Sequence, residues 1–347
     1  MTVKPRNPGA TMKEVALAAG VSVSAVSKVL HGKGKSIRVS EAKASHIREV
    51  AERMKYHPNA LARSLRLART HTVGLIFENF GEISAGPLFY VHLLDGVAGE
   101  LFRNHYRLAI LPEVPRDSAA NALNDGRLDG VIWCKMPSDP ALHAELANRF
   151  VPVVALNAPP IEESPIPCFV SCDNEAGAEL VVDHLFGLGH RRILFVLEEG
   201  EVDTPDAQSR LRGFRKAMAD RGLSATDEDM VLWSTSATEL GRWWESGPPH
   251  TAIFAWNERQ GGEILARARE TGLRLPEELS VVGFDSTIYC DSTVPKLTAV
   301  RQPIKEMAQT AARILLDLID GSPSERHSRT FPCTLDVRES TTRPCLR

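Results

Sequence analysis

Apolar residues recur at two different periods in this chain, and the period changes near residue 70. Before that point Val15, Ala18 and Ala19 form one small apolar face, and Val26, Val29 and Leu30 form another. Ala44, Ile47, Val50, Ala51 and Met54 then repeat at helical spacing. Three short helices are expected, opening at Thr11, at Ser22 and at Ser40, the third running to about Lys55. Thr11 with Glu14 three residues on fits a capping box, and Gly20 ends the first helix in a tight turn. Two short helices joined by a Gly-containing turn, with a third behind them, match a helix-turn-helix, although small bundles that never touch DNA share the pattern.

After Thr70 the signal becomes an alternation of strands and helices. Apolar runs appear at 72–77, 107–111, 130–133, 152–156, 168–171, 192–197, 251–256 and 280–284. Helical periodicity lies between most of them, at 88–104, 176–188, 209–221, 259–271 and 304–319. Repeated β–α units predict parallel sheets with helices on both faces, here two doubly wound subdomains. Ligands in such sheets bind beyond the carboxyl ends of the strands. The first polar residues there are Glu78, Asn79, Asn157, Asn257 and Asp285. Each taken singly also fits a helix cap or a turn.

Charge separates the two regions further. Residues 1–71 hold 14 Lys and Arg against 4 Glu, a balance of +10, while residues 72–347 hold 27 against 40, a balance of −13. A net charge of −3 therefore hides a basic head on an acidic body. A compact basic head suits a polyanion, because neutralised phosphates release counterions. A second helix lined with Ser, Val and Lys is narrow enough for the major groove.

The wording of the head goes beyond its pattern. Thr11-Met-Lys-Glu-Val-Ala-Leu-Ala-Ala-Gly-Val-Ser-Val-Ser-Ala-Val-Ser-Lys-Val-Leu-His-Gly32 closely resembles the DNA-binding headpiece of the lactose-repressor (LacI/GalR) family, and Tyr56-His-Pro-Asn-Ala-Leu-Ala-Arg-Ser-Leu65 resembles its hinge. Lys28 stands where the family usually has Arg, and His31 where it usually has Asn. The resemblance implies that Val23 and Ser24 read base edges, Val23 against a thymine methyl. Lys28 would reach either a guanine edge or a phosphate. Ser22, Ser27 and His31 would hold the sugar-phosphate backbone, with helix capping the competing role for Ser22. Asn59, Ala62 and Leu65 would enter the minor groove from a hinge helix, Leu65 wedging between base pairs. An apolar anchor for a linker is the other reading of Leu65.

The body carries the same resemblance in Ser209-Arg-Leu-Arg-Gly-Phe214, Ala252-Ile-Phe-Ala-Trp-Asn-Glu258, Val281-Val-Gly-Phe-Asp285, Leu297-Thr-Ala-Val-Arg-Gln-Pro303 and Val337-Arg-Glu-Ser-Thr341. On those matches Arg210, Asn257 and Asp285 are similar to small-molecule contacts, and Trp256 is placed to stack on a sugar ring. A carboxylate accepting from two hydroxyls beside a guanidinium fork suits a polyol. Glu258 and Ser286 depart from the usual Asp, and Trp256 is larger than the usual small residue. The implied fold is an all-α helix-turn-helix headpiece (1–57) and a hinge (58–70), followed by a two-subdomain, periplasmic-binding-protein-like α/β effector domain of doubly wound parallel sheets (71–347). The N-subdomain is expected at about 72–172 plus 296–322, and the C-subdomain at about 173–295 plus 323–340.

Catalytic readings find little support. Gly32-Lys-Gly-Lys-Ser36 suggests a phosphate loop, but Val29 stands where its first Gly belongs and no strand precedes it. No G-x-G-x-x-G, H-E-x-x-H or G-x-S-x-G occurs. The six cysteines are scattered, as expected of reduced thiols. No enzyme activity, cofactor or metal is expected. The expected protein is a ligand-controlled transcriptional regulator, a repressor, located in the cytoplasm. Its partners would be a near-palindromic duplex operator, a sugar-like effector and a second copy of itself, with no membrane. With no heptad repeat after the effector domain, a dimer is expected rather than a coiled-coil tetramer. The alternatives are a two-lobed solute-binding protein, or a cytosolic sugar-modifying enzyme with a DNA-binding appendage.

Overall fold

In the computed structural model the chain divides between Thr70 and His71 into two units. The structure describes residues 10–31, 39–56, 69–77, 88–111, 114, 118–161, 164–226, 229–233, 243, 246–247, 249–322 and 328–345.

The first unit contains α1 (Met12–Ala18), α2 (Val23–His31) and α3 (Glu41–Arg53). Thr11 and Glu14 close a reciprocal capping box, the Thr11 amide donating to Glu14 Oε2 at 2.6 Å and the Glu14 amide to Thr11 Oγ1 at 3.3 Å. Gly20 takes φ of 62°, the left-handed conformation that a tight inter-helix turn requires. Val15, Ala16, Ala19, Val26, Ile47, Val50 and Ala51 form the core. Ala16, rather than the expected Ala18, faces inward, because the buried positions of α1 follow an i, i+1, i+4 stripe and leave Ala18 exposed.

The second unit alternates strands and helices. In order it holds β1 (Thr72–Phe77), α4 (Leu88–Arg103), β2 (Arg107–Leu111), α5 (Ala119–Leu123), β3 (Gly130–Cys134), α6 (Pro140–Leu146), β4 (Val153–Leu156) and β5 (Cys168–Cys172). There follow α7 (Asn174–Leu188), β6 (Ile193–Glu198), a 3-10 turn at Glu199–Glu201, α8 (Pro205–Asp220), β7 (Met230–Trp233), β8 (Ala252–Ala255), α9 (Glu258–Glu270) and β9 (Ser280–Asp285). The last elements are α10 (Tyr289–Ser292), β10 (Thr298–Arg301), α11 (Ile304–Ile319), β11 (Arg329–Phe331) and β12 (Thr334–Asp336).

Two six-stranded sheets result, ordered β11-β5-β4-β3-β1-β2 and β12-β10-β9-β8-β6-β7. All pairings are parallel except the antiparallel β10–β12 pair. The chain crosses between sheets three times: after β5, between β10 and α11, and between β11 and β12. This corrects the expected subdomain limits. Residues 296–301 belong with the second sheet, because Thr298–Arg301 pairs with Val282–Asp285, and β11 belongs with the first, because Phe331 lies opposite Cys172. One apolar cluster fills both halves, from Leu75, Val97 and Leu315 to Phe195, Phe214 and Phe254.

The second subdomain is positioned by a close helix crossing. A Cβ on Gly213 of α8 would stand 2.5 Å from the Glu175 carbonyl oxygen at the start of α7, and that backbone cannot yield. Gly213→Ala is therefore expected to destabilise the protein by about 1–3 kcal/mol. Gly187 of α7 has open space around its Cβ position. Gly187→Ala should be neutral or stabilising by up to ~1 kcal/mol. Urea unfolding of the two variants checks the contrast.

Candidate functional site

In the first unit, Ser22, Val23 and Ser24 are exposed at the start of α2, and Ser27 and Lys28 are half-buried one turn later. Ser22 Oγ accepts from the Ala25 amide at 3.2 Å, so its capping role is realised. Val23 presents an apolar side chain to solvent at 40% exposure, which folding alone does not require. The His31 side chain and all of Asn59, Ala62 and Leu65 lie outside the described residues, as do Glu78 and Asn79 in the second unit.

In the second unit, polar groups converge where the strands of both sheets end. Lys135 follows β3, Asn157 follows β4, and Asp285 closes β9. All three have left-handed backbones, with φ of 55°, 55° and 89°. Non-glycine residues in that region are held there only when their surroundings over-determine them, and they cluster at functional sites. The Lys135 amide donates to the Leu156 carbonyl and the Asn157 amide to the Val170 carbonyl, which explains how the turns are fixed.

Arg210, on α8, is the centre of the cluster and is 1% exposed. Its Nε donates to Asn174 Oδ1 at 2.9 Å, and Nη1 donates to the Trp256 carbonyl. Nη2 lies 3.7 Å from Asp206 Oδ2 and 3.6 Å from Asp285 Oδ1. The guanidinium also sits 3.7 Å from the centre of the Phe284 ring. Asp285 accepts a second contact from Gln302 Nε2 at 2.6 Å. Burial pushes the Asp285 carboxyl above the ordinary range, against the opposing pull of Arg210.

Lys135 brings the second cation. Its Nζ is 2.8 Å from Glu201 and 3.7 Å from Asp206, and it stands 4.9 Å from the centre of the Trp256 ring. Burial alone would discharge this ammonium, but Asp206 and other negative neighbours overcome it and raise its pKa. Asp206 is likewise buried, yet Lys135 and Arg210 hold its carboxyl below the usual range. Asn157 Nδ2 donates to Asp206 Oδ2 at 3.3 Å. Asp206 Oδ1, Asn157 Oδ1 and Trp256 Nε1 have no hydrogen-bond partner among the described residues. Buried polar atoms without partners are costly, and these two acceptors and one donor are able to take complementary groups such as hydroxyls.

The structure thus brings together Asn157 and Asp285, expected from the strand ends, with Arg210 and Trp256, expected from the resemblance. Asn257 is different: its side chain accepts from the Gln260 amide at 2.8 Å and caps α9, the structural alternative weighed for it. The Trp256 indole is 3% exposed and its face is already covered by Lys135 and Arg210, so ring stacking on a ligand requires those cations to move. Lys135, Glu201, Asp206, Asn174 and Gln302 escaped the sequence analysis. The signal for Lys135 was present, since it is the first polar residue after β3.

Comparison with known proteins bears on both units. Residues 11–59 match the model of bacterial regulatory proteins of the lacI family, and residues 182–341 match the periplasmic binding protein-like domain. The chain is 31% identical to the HTH-type transcriptional regulator GalR of Escherichia coli K12, over 97% of each chain. The solved complex of the transcriptional regulator CelR with cellobiose is 27% identical, with a TM-score of 0.70 over 96% of this chain and 100% of that one. The Lac repressor dimer bound to operator and the anti-inducer ONPF shares the fold at a TM-score of 0.79 and 22% identity, over 96% and 99%.

Beside the cluster, Glu258 fixes the turn that follows Asp285. Its carboxylate accepts from the Thr287 amide and hydroxyl and from Cys290 Sγ. Burial, and then the charge of Asp285, push its carboxyl up to about 6, while the Thr287 bonds pull the other way. The folded value lies above the unfolded one, so the folded state binds the extra proton. Its contribution to stability, about 2 kcal/mol, is fully present below about pH 4.5 and is lost as pH rises through 6. Glu258→Gln should remove that part of the pH dependence. Urea midpoints of both proteins between pH 4 and about 7 measure it, and equal slopes would contradict the assignment.

Proposed function

The chain belongs to the LacI family of bacterial regulatory proteins and is a helix-turn-helix transcriptional regulator, from which we propose that it represses from a near-palindromic operator, as a dimer, under control of a neutral sugar-like effector. The observation that carries this reading is the coexistence of two sites in one chain. An exposed Ser22-Val23-Ser24 edge opens the second helix of a basic trihelical head, and a donor- and acceptor-rich cluster is buried between two α/β subdomains.

Val23 and Ser24 are assigned to base edges, and Ser22, Ser27 and His31 to the sugar-phosphate backbone. Lys28 is assigned to a guanine edge or a phosphate. Asn59, Ala62 and Leu65 are assigned to the minor groove. Asn157, Arg210, Trp256 and Asp285 are assigned to the effector, as are Glu78 and Asn79 from the sequence, with Asn257 contributing by capping. The relation to a regulator solved with cellobiose supports a sugar. Pairing through the second unit is supported by the apolar residues Phe102 and Ile110, which are 60% and 46% exposed on α4 and the edge strand β2. Two linked heads reading a symmetric site is the geometry that helix-turn-helix dimers use.

Effector control requires that ligand favour one closure of the subdomains over the other. Selection of the full-length protein from a random duplex library should enrich a near-palindrome, and loss of any enrichment with or without sugars would refute the reading. Affinity for that site should fall steeply with salt, because neutralised phosphates dominate it; a flat response would refute the basic-head assignment. Asp285→Asn should abolish the response to effector while leaving operator affinity within about threefold, measured by fluorescence anisotropy. A variant that still responds fully would remove Asp285 from the pocket.

A further inference from the structure

Lys135 begins in one subdomain and ends in the other. Its backbone follows β3 of the first sheet, while Glu201, Asp206 and Trp256, which surround its ammonium, all belong to the second subdomain. The side chain is 5% exposed, so its whole stem is enclosed. Two carboxylates and an aromatic face together form a receptor for an ammonium ion. Asn157 makes a second crossing of the same boundary to Asp206.

A buried ammonium is tolerated only when it is paired, and this one has its pair only while the subdomains are together. Closure and neutralisation are thus one event. The geometry points to Lys135 as a tethered ligand of the effector cleft: its ammonium, clamped between Glu201 and Asp206 over Trp256, holds the two subdomains closed with no small molecule, and an effector works by displacing it. This rests on the assignment of the cleft as the effector site.

The same arrangement narrows the chemistry of that effector. Glu201, Asp206 and Asp285 supply three carboxylates, and the two cations facing them, Lys135 and Arg210, are each already paired with two of these groups. The unpartnered acceptors Asp206 Oδ1 and Asn157 Oδ1 call for hydroxyl or amine donors. The effector is therefore expected to present hydroxyl or amine donors to these oxygens.

Chemical rescue in the full-length protein tests the latch. Lys135→Ala empties the ammonium cage, and propylammonium chloride is the probe, with sodium chloride at equal ionic strength as the control. Hydrogen exchange is read in peptides covering residues 135–139 and 199–204, which carry the two sides of the latch. The wild-type protein is expected to be protected there without ligand and to be insensitive to propylammonium. Lys135→Ala is expected to lose that protection and to regain it with propylammonium but not with sodium. Protection retained in Lys135→Ala, or an equal response of both proteins to propylammonium, would overturn the inference.

Should Lys135→Ala fail to fold, Lys135→Ala/Glu201→Gln removes one charge of each sign and leaves Asp206 with Arg210. It should also lose protection, and a protected double variant would overturn the latch equally. Operator binding by the same samples separates the two ideas. If wild type and variants all fail to bind any selected operator, the regulator reading falls whatever the exchange shows. If they bind it and Lys135→Ala stays protected, the latch alone falls.

Discussion

The buried guanidinium of Arg210 sets the terms for the rest of the effector unit. A group with five donors and a permanent charge, taken out of water, demands acceptors on every side and compensating negative charge nearby. Here the demand is met from four different elements: Asp206 one turn earlier on α8, Asn174 at the start of α7, the Trp256 carbonyl beyond β8, and Asp285 at the end of β9. Each of these must come close for the cation to remain folded inside. The missing Cβ of Gly213 lets α8 approach α7 closely enough for Asn174 to be reached. The guanidinium thus works as a register pin, fixing helices and strand ends against one another at the place where parallel sheets present their ligands.

Polarity at that place comes with backbone strain. Lys135, Asn157, Asp285 and Ser286 all adopt positive φ without being glycine, and all follow or end a strand at the convergent edge. The conformation turns the side chains off the strand direction. Hydrogen bonds from the Lys135 and Asn157 amides to the neighbouring strands make the turns tolerable. Around them Glu258 ties down the turn after Asp285, and Gln302 bridges Asp285 to Cys172 at the first crossover between sheets. Asp285 is therefore joined through Gln302 to the first crossover segment between the two sheets.

How much of this was legible in the sequence follows from the size of each signal. The eight strands with long apolar runs and the five long amphipathic helices stand out because burial on both faces of a parallel sheet demands continuous apolar sequence. β7, β10, β11 and β12 escaped detection; each is only three or four residues long, and β11 and β12 are incompletely buried. Their pairing partners are distant in sequence, and the subdomain limits shifted with them. Lys135 was missed because the apolar run reads as ending at Trp133, one residue before the strand does. Asp206 was missed because the helical pattern reads as starting at Ser209. Thr204-Pro205, a β-region residue followed by Pro at the first helical position, marks the true start of α8. Asn257 is a polar strand-end residue whose Oδ1 is taken up by a helix cap. Pattern places a residue at a site, but only coordinates reveal which of its atoms are already occupied.

The charge ledger of the two units gives a last constraint on how such a molecule can work. The acidic body, net −13 over residues 72–347, repels the same phosphates that attract the head. Within the cleft, however, the cations are neutralised locally by Asp206, Glu201 and Asp285, so effector chemistry there proceeds with little change in the field felt by DNA. An influence of the effector on operator affinity is then expected to act through subdomain geometry rather than through net charge. The buried salt bridges contribute little to folding stability on average, and their value lies in having two geometrical answers. Lys135 and Asp206 are satisfied when the subdomains meet. The same groups are satisfied by water when the subdomains part, and no intermediate separation serves them equally well. An ion pair across a cleft therefore makes the closure two-valued, which is the property that a switch requires.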